Sequence, residues 1–141
     1  MANYANIGIV PMPFTADADL TAKQWMLVSP ASTAGNVVAT SSACNPVPLG
    51  ILVNDPSAGQ GAEVVIFGPT KAKCRVTTCD LKNGRFLKAA SDGFLEAAAI
   101  EASDFIFARY FDQTKTTTDA SCIGEVFIYG FSGCGVQLGT S

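Results

Sequence analysis

Short apolar runs broken by turn-forming residues dominate this chain, and nowhere does a long helical stripe take over. Residues 49–53 (Leu49, Gly50, Ile51, Leu52, Val53) make an extended apolar run. It must stop at Asn54-Asp55-Pro56, because proline removes a ladder donor and Asn and Asp favour turns. Gly59 and Gly61 open the reversal. The chain then re-enters as Val64-Val65-Ile66-Phe67, β-branched and aromatic, and is punctuated by Gly68-Pro69. In the next strand, residues 70–76, Ala72, Cys74 and Val76 fall on one side of the pleat and Lys71, Lys73 and Arg75 on the other. One face packs; the other meets water or a partner.

The same reading extends to both ends. Residues 1–14 carry Tyr4, Ile7, Ile9, Val10 and Phe14 and are kept extended by Pro11 and Pro13. So many apolar groups either close the core as a first strand or lie as an arm on a neighbouring subunit. Trp25-Met26-Leu27-Val28 predicts a short buried strand closed by Ser29-Pro30, and Val37-Val38-Ala39 a strand inside a Ser- and Thr-rich connection. Asn83-Gly84 and Asp92-Gly93 are hairpin dipeptides, with residues 85–90 as a strand between them. Residues 95–102 suit one or two helical turns by alanine propensity, or a strand followed by a loop. Residues 105–111 and 125–129 are apolar on both faces, the pattern of strands inside a closed barrel, inside a sandwich, or under another subunit. Residues 112–121 read as an exposed loop, and 130–141 are too rich in glycine to form an element alone. No internal repeat is legible. The expected fold is all-β: a small barrel or sandwich of short antiparallel strands, with an extended N-terminal arm over 1–14 and a single β-domain over 15–141.

At 141 residues the chain is long enough to bury roughly two thirds of its surface without a staple. Charged residues make up only 15% against the usual ~25%, which implies that part of the surface is covered in the working state. The net charge of -3 argues against nucleic acid or an anionic membrane as the main partner. Locally the balance reverses, since Lys71, Lys73, Arg75, Lys82, Arg85 and Lys88 lie together with Asp80 as the sole acid among them. A strand face in water is the bland reading of that cluster; a docking stripe for an acidic partner surface is the favoured one. Nucleic-acid binding by a small β-barrel is the alternative, although only Phe86 is present to stack a base. The start lacks the basic and apolar regions of a secretion signal, and no run approaches the ~20 apolar residues of a membrane span, so a soluble protein made in the cytoplasm is expected.

Chemistry is sparse. Histidine is absent, which removes the usual general base and the commonest metal ligand. Five cysteines, at 44, 74, 79, 122 and 134, lack paired zinc-site spacing and read as small buried hydrophobes in a reducing cytoplasm, with a disulfide within or between subunits as the other reading. Neither the nucleophile-elbow pattern nor the dinucleotide pattern is met around Gly130–Gly135. The carboxylates Asp17 and Asp19, and Glu96, Glu101 and Asp104, read as solvated surface rather than an acid–base pair. No catalytic residue, cofactor site or metal site is expected.

Residues 50–71 have the form G-hydrophobic-L-x-N-D-P-x-A-G-x-x-A-E-V-x-hydrophobic-x-G-x-T-K. This segment resembles the head-decoration, or capsid cement, proteins of tailed bacteriophages, with weaker echoes at Leu20-Thr21-Ala22, Asp92-Gly93 and Ile123-Gly124-Glu125-Val126. The chain departs from that pattern in the polar run 112–121 and the glycine-rich tail. The resemblance implies a non-enzymatic virion protein, made in the host cytoplasm and carried on the outer capsid surface. Its partners would be the major capsid protein and copies of itself as a homotrimer, with no specific nucleic acid and no membrane. Residues offered for the partner interface are Tyr4, Ile7, Ile9, Val10, Phe14, Lys71, Lys73 and Arg75. A receptor- or carbohydrate-binding accessory is a further alternative, since loops on any β-scaffold can carry such sites.

Overall fold

A computed structural model of the chain describes residues 11–42, 48–75, 84–98, 106–111 and 122–129. The described regular elements are all strands, in agreement with the all-β expectation, but they close into two barrels where the sequence predicts one. The first consists of β1 (Met12–Ala16), β2 (Leu27–Pro30), β3 (Asn36–Ala39), β4 (Gly50–Leu52) and β5 (Gly61–Val65), joined in the order β1-β3-β2-β4-β5 and back to β1. The second consists of β6 (Gly68–Arg75), β7 (Phe86–Ala89), β8 (Leu95–Ala97), β9 (Ala108–Tyr110) and β10 (Cys122–Ile128), in the order β10-β6-β8-β7-β9 and back to β10. Closure leaves neither sheet with an edge. Each barrel contains one parallel pair, β1 with β3 and β6 with β8, so the strands are not uniformly antiparallel.

The barrels are one design used twice. Strand for strand, β1 to β5 pair as β6 to β10 do, and the register matches on all five ladders. Ala16↔Val37 corresponds to Cys74↔Leu95, Val28↔Ala39 to Leu87↔Ala97, and Val28↔Gly50 to Leu87↔Ala108. Leu52↔Val64 corresponds to Tyr110↔Val126, and Met12↔Val64 to Thr70↔Val126. Bonds outside the ladders repeat as well. The Trp25 amide donates to the Leu52 carbonyl at 2.7 Å and the Gly84 amide to the Tyr110 carbonyl at 2.6 Å. The Val53 amide donates to Glu63 at 2.9 Å and the Phe111 amide to Glu125 at 2.8 Å. Trp25 (φ 67°) and Gly84 (φ 87°) occupy the same left-handed position, a conformation that is costly for any side chain except glycine. Of the Asn83-Gly84 dipeptide, Asn83 lies outside the described residues; the described strands β6 and β7 do not pair with each other, and Gly84 leads the chain into β7 as Trp25 leads it into β2.

Other expectations shift by a few residues. β5 ends at Val65, short of Phe67, and Gly68-Pro69 opens β6 instead of punctuating it. Asp92-Gly93 does join antiparallel strands, β7 and β8, with Gly93 at φ 92°. Residues 95–97 are strand, not helix. Asn54 bridges the β4–β5 reversal, its side chain donating to the Gly61 carbonyl and accepting from the Glu63 amide, both at 3.0 Å. At the near end, the choice between strand and arm is open in the sequence for residues 1–14; residues 12–14 belong to β1, which pairs with both β3 and β5, and residues 1–10 lie outside the described residues. The arm boundary drawn after residue 14 therefore runs through β1.

One apolar cluster fills each barrel. Ala16, Leu20, Val28, Val37, Leu52, Ala62 and Val64 form the first. The second includes Cys74, Leu87, Leu95, Phe107, Tyr110, Val126 and Ile128, and it also takes in Leu27 and Ile51 from the first barrel, with Trp25 packed against it. Two backbone hydrogen bonds cross between barrels, Lys73 amide to Trp25 carbonyl at 2.7 Å and Leu27 amide to Gly93 carbonyl at 2.9 Å. The barrels thus share a packed seam.

Candidate functional site

The basic strand sits where its alternation puts it. Along β6, Ala72 and Cys74 are fully buried while Lys71, Lys73 and Arg75 are half-buried and point outward. The stripe is not uniformly positive in space. Arg75 donates from Nε to Glu96 at 2.9 Å and pairs with Asp92, and the Glu96 hydrogen bond, ahead of the weaker Asp92 contribution, holds its guanidinium above the usual range. Lys88 stands opposite the same Glu96 in the β7–β8 ladder, and Lys71 opposite Glu125 in the β10–β6 ladder. Acids distant in sequence are thereby interleaved with the cations. Among the described residues this surface alternates in sign, unlike the continuous positive groove that favours a nucleic-acid backbone.

Of the other residues offered for an interface, Phe14 is half-buried and packs against the first core, so it serves the barrel. Tyr4, Ile7, Ile9 and Val10 lie outside the described residues, as does Lys82. Asp17 accepts from Asn36 Nδ2 at 2.8 Å and Asp19 accepts from the Thr21 amide at 3.1 Å. That second bond holds the Asp19 carboxyl below its ordinary value. These carboxylates organise turns, and Glu96 is committed to Arg75. Among the described residues no group of three or more Cys, Asp or Glu could hold a metal, and no helix is long and apolar enough to cross a membrane.

A second surface escaped the sequence reading. On the outside of the second barrel Phe127 makes edge contacts with Phe67 (centroids 5.4 Å apart) and Phe111 (6.4 Å), and lies 5.7 Å from Tyr129. Arg109 lies 5.0 Å from the Phe86 ring centroid and 5.6 Å from that of Phe111, and its Nε donates to the Gly84 carbonyl at 3.0 Å. Phe67 is 59% exposed and Phe111 38%. Aromatic rings and a stacked guanidinium gathered on one face form the composition typical of interface centres. The available signal was the alternation in β10, where Phe127 and Tyr129 fall on the side opposite the buried Val126 and Ile128.

Comparison with known proteins gives matches among solved structures. No family model matches the chain, and no curated protein matches it. Among solved structures it is similar to the N base of the head fiber protein gp8.5 of bacteriophage phi29, with a TM-score of 0.54 and 13% identity. The match covers 87% of this chain and 96% of that one. At that identity the likeness is one of fold, and it runs through both barrels.

Proposed function

We propose that this protein is a bacteriophage head-decoration, or cement, protein. It binds the outer surface of a shell built from the major capsid protein and works as a homotrimer, with no catalytic step. It is made in the host cytoplasm and ends on the virion. The observation that carries this reading is the likeness of the whole two-barrel body to the base of a phage head fiber. Three further features support it: the decoration-protein pattern over residues 50–71, the low charge content, and the aromatic face exposed among the described residues. Physically the role is bridging. A molecule that binds only the assembled shell stabilises it by mass action, and several linked contacts multiply the effect.

The test is co-sedimentation of the purified protein with empty heads of its phage. Saturable pelleting with heads, weakened at least tenfold by Lys71→Glu with Lys73→Glu, is the expected result. Failure to pellet at any concentration would refute the reading. Single-stranded DNA serves as the control ligand, for which weak, sequence-independent binding is expected.

A further inference from the structure

The doubled fold makes it possible to ask of each face on one barrel what has become of it on the other. On the first barrel, Leu27 and Ile51 stand side by side as ladder partners and are buried against the second barrel. The matching ladder partners on the second barrel are Phe86 and Arg109. Around them Val53 and Val65 become Phe111 and Phe127; Val53 is half-buried where Phe111 is exposed, and Val65 is buried where Phe127 is half-buried. Where the first barrel is covered, the second therefore carries a larger aromatic face with nothing from the same described chain upon it.

We propose that this face docks on a second copy of this chain, against the end of its first barrel formed by β1 and the β2–β3 turn, so that the contact between copies repeats the contact between barrels. Within one chain the receiving surface is β6 with the β7–β8 turn: Lys73 and Gly93 bond across the seam, and Met26 lies against Gly93. By register the corresponding surface of the first barrel is Thr15 on β1 with Gly35 in the β2–β3 turn; there the Thr15 amide donates to the Gly35 carbonyl at 3.0 Å, so the contact between copies is made by side chains, and Gly35 and the adjoining Asp17 are exposed. Charge is compatible with the head-to-tail arrangement, since the two surfaces carry opposite signs. The docking face carries Arg109 where the seam carries Ile51, and the receiving end carries the exposed Asp17 where the second barrel carries Arg75, so a cationic face meets an acidic end. Two aromatic faces meeting each other would instead set Arg109 against its own copy. Contacts of this head-to-tail kind are heterologous, and they assemble rings when the rotation closes.

This inference rests on the reading of the protein as an oligomer and identifies the surface that assembles it. Its test is the sedimentation-equilibrium mass of the full chain under reducing conditions, with circular-dichroism melting as the fold control. The wild type is expected to sediment as a multiple of 14.6 kDa. Phe67→Ser with Phe111→Ser, Asp17→Arg, and Arg109→Asp should each weaken association at least tenfold, and Asp17→Arg with Arg109→Asp should regain part of the loss. The exposed sites Phe67, Phe111 and Asp17 keep the test decisive if Arg109→Asp fails to fold. A folded wild-type monomer would overturn the proposal, as would association indifferent to the aromatic changes. Loss on changing the phenylalanines but not Asp17 would mean face-to-face pairing and would overturn the head-to-tail contact. An oligomer that ignores heads refutes only the cement role, and a monomer that binds heads refutes this interface and the homotrimer but leaves the attachment to heads standing.

Discussion

In the first barrel Leu52 shares the interior with Ala62; at the same two register positions in the second, Tyr110 shares it with Gly124. A Cβ on Gly124 would lie 2.4 Å from the Tyr110 ring, so the larger residue on β9 is accommodated by the smaller one on β10. Ladder register survives such exchanges because a close-packed interior constrains total volume more tightly than the identity of any one side chain. Outward positions follow a different rule. Ile51 and Arg109 hold equivalent places, yet one is buried in a seam and the other lies on aromatic rings at the surface. What covers a face decides its chemistry, even when the backbone beneath it is the same.

The comparison can be broken most sharply at Gly50. Its Cβ would sit 2.2 Å from the Val65 carbonyl oxygen, where the chain leaves β5 for the second barrel, and backbone cannot yield as a side chain can. Gly50→Ala should therefore cost about 3 kcal/mol or more by urea denaturation, although Ala108 occupies the matching position without strain. Equal tolerance at both sites would dissolve the difference between the barrels. Next in size, Gly124→Ala should cost about 2 kcal/mol, and adding Tyr110→Leu, which recreates the pair found in the first barrel, should recover part of it. A coupling energy near zero in that double-mutant cycle would mean that the two positions do not compensate.

The smallest effect is expected at Arg75→Gln, below about 1 kcal/mol, because its ion pairs with Asp92 and Glu96 are part-exposed. Its raised pKa fixes the sign. Stabilisation from a cation held above its unfolded value is fully present below that value and is lost only as pH rises through the guanidinium range. The difference between wild type and variant should thus stay constant from neutral to mildly alkaline pH, measured as thermal midpoints. A steady decline over that interval would point to another titrating group.

The strands were legible because each has a local cause: alternation in 70–75, the apolar run at 50–52, and the Asp92-Gly93 turn between β7 and β8. The doubling was not. Repetition resides in hydrogen-bond register, and register is indifferent to whether a position holds Leu or Tyr, Trp or Gly. Scattered identities, Glu63-Val64 with Glu125-Val126, Gly35 with Gly93 and Ala39 with Ala97, preserve it in the sequence, where they look like fragments of turns and strands. The basic stripe was legible as an alternation, but not the acids set beside it, since Asp92 and Glu96 reach Arg75, and Glu125 comes opposite Lys71, only through the fold. The aromatic face was hidden for the same reason: Phe67, Phe86, Phe111 and Phe127 belong to four separate segments that closure of the second barrel gathers together.

The most direct test of the central claim is an electron cryomicroscopy reconstruction of empty phage heads incubated with the purified protein. The expected map has two-barrel density seated on the outer surface of the shell, with the aromatic face of each second barrel covered by the first barrel of the next copy. Bare shells at saturating protein, or isolated chains whose aromatic face looks into solvent, would contradict it.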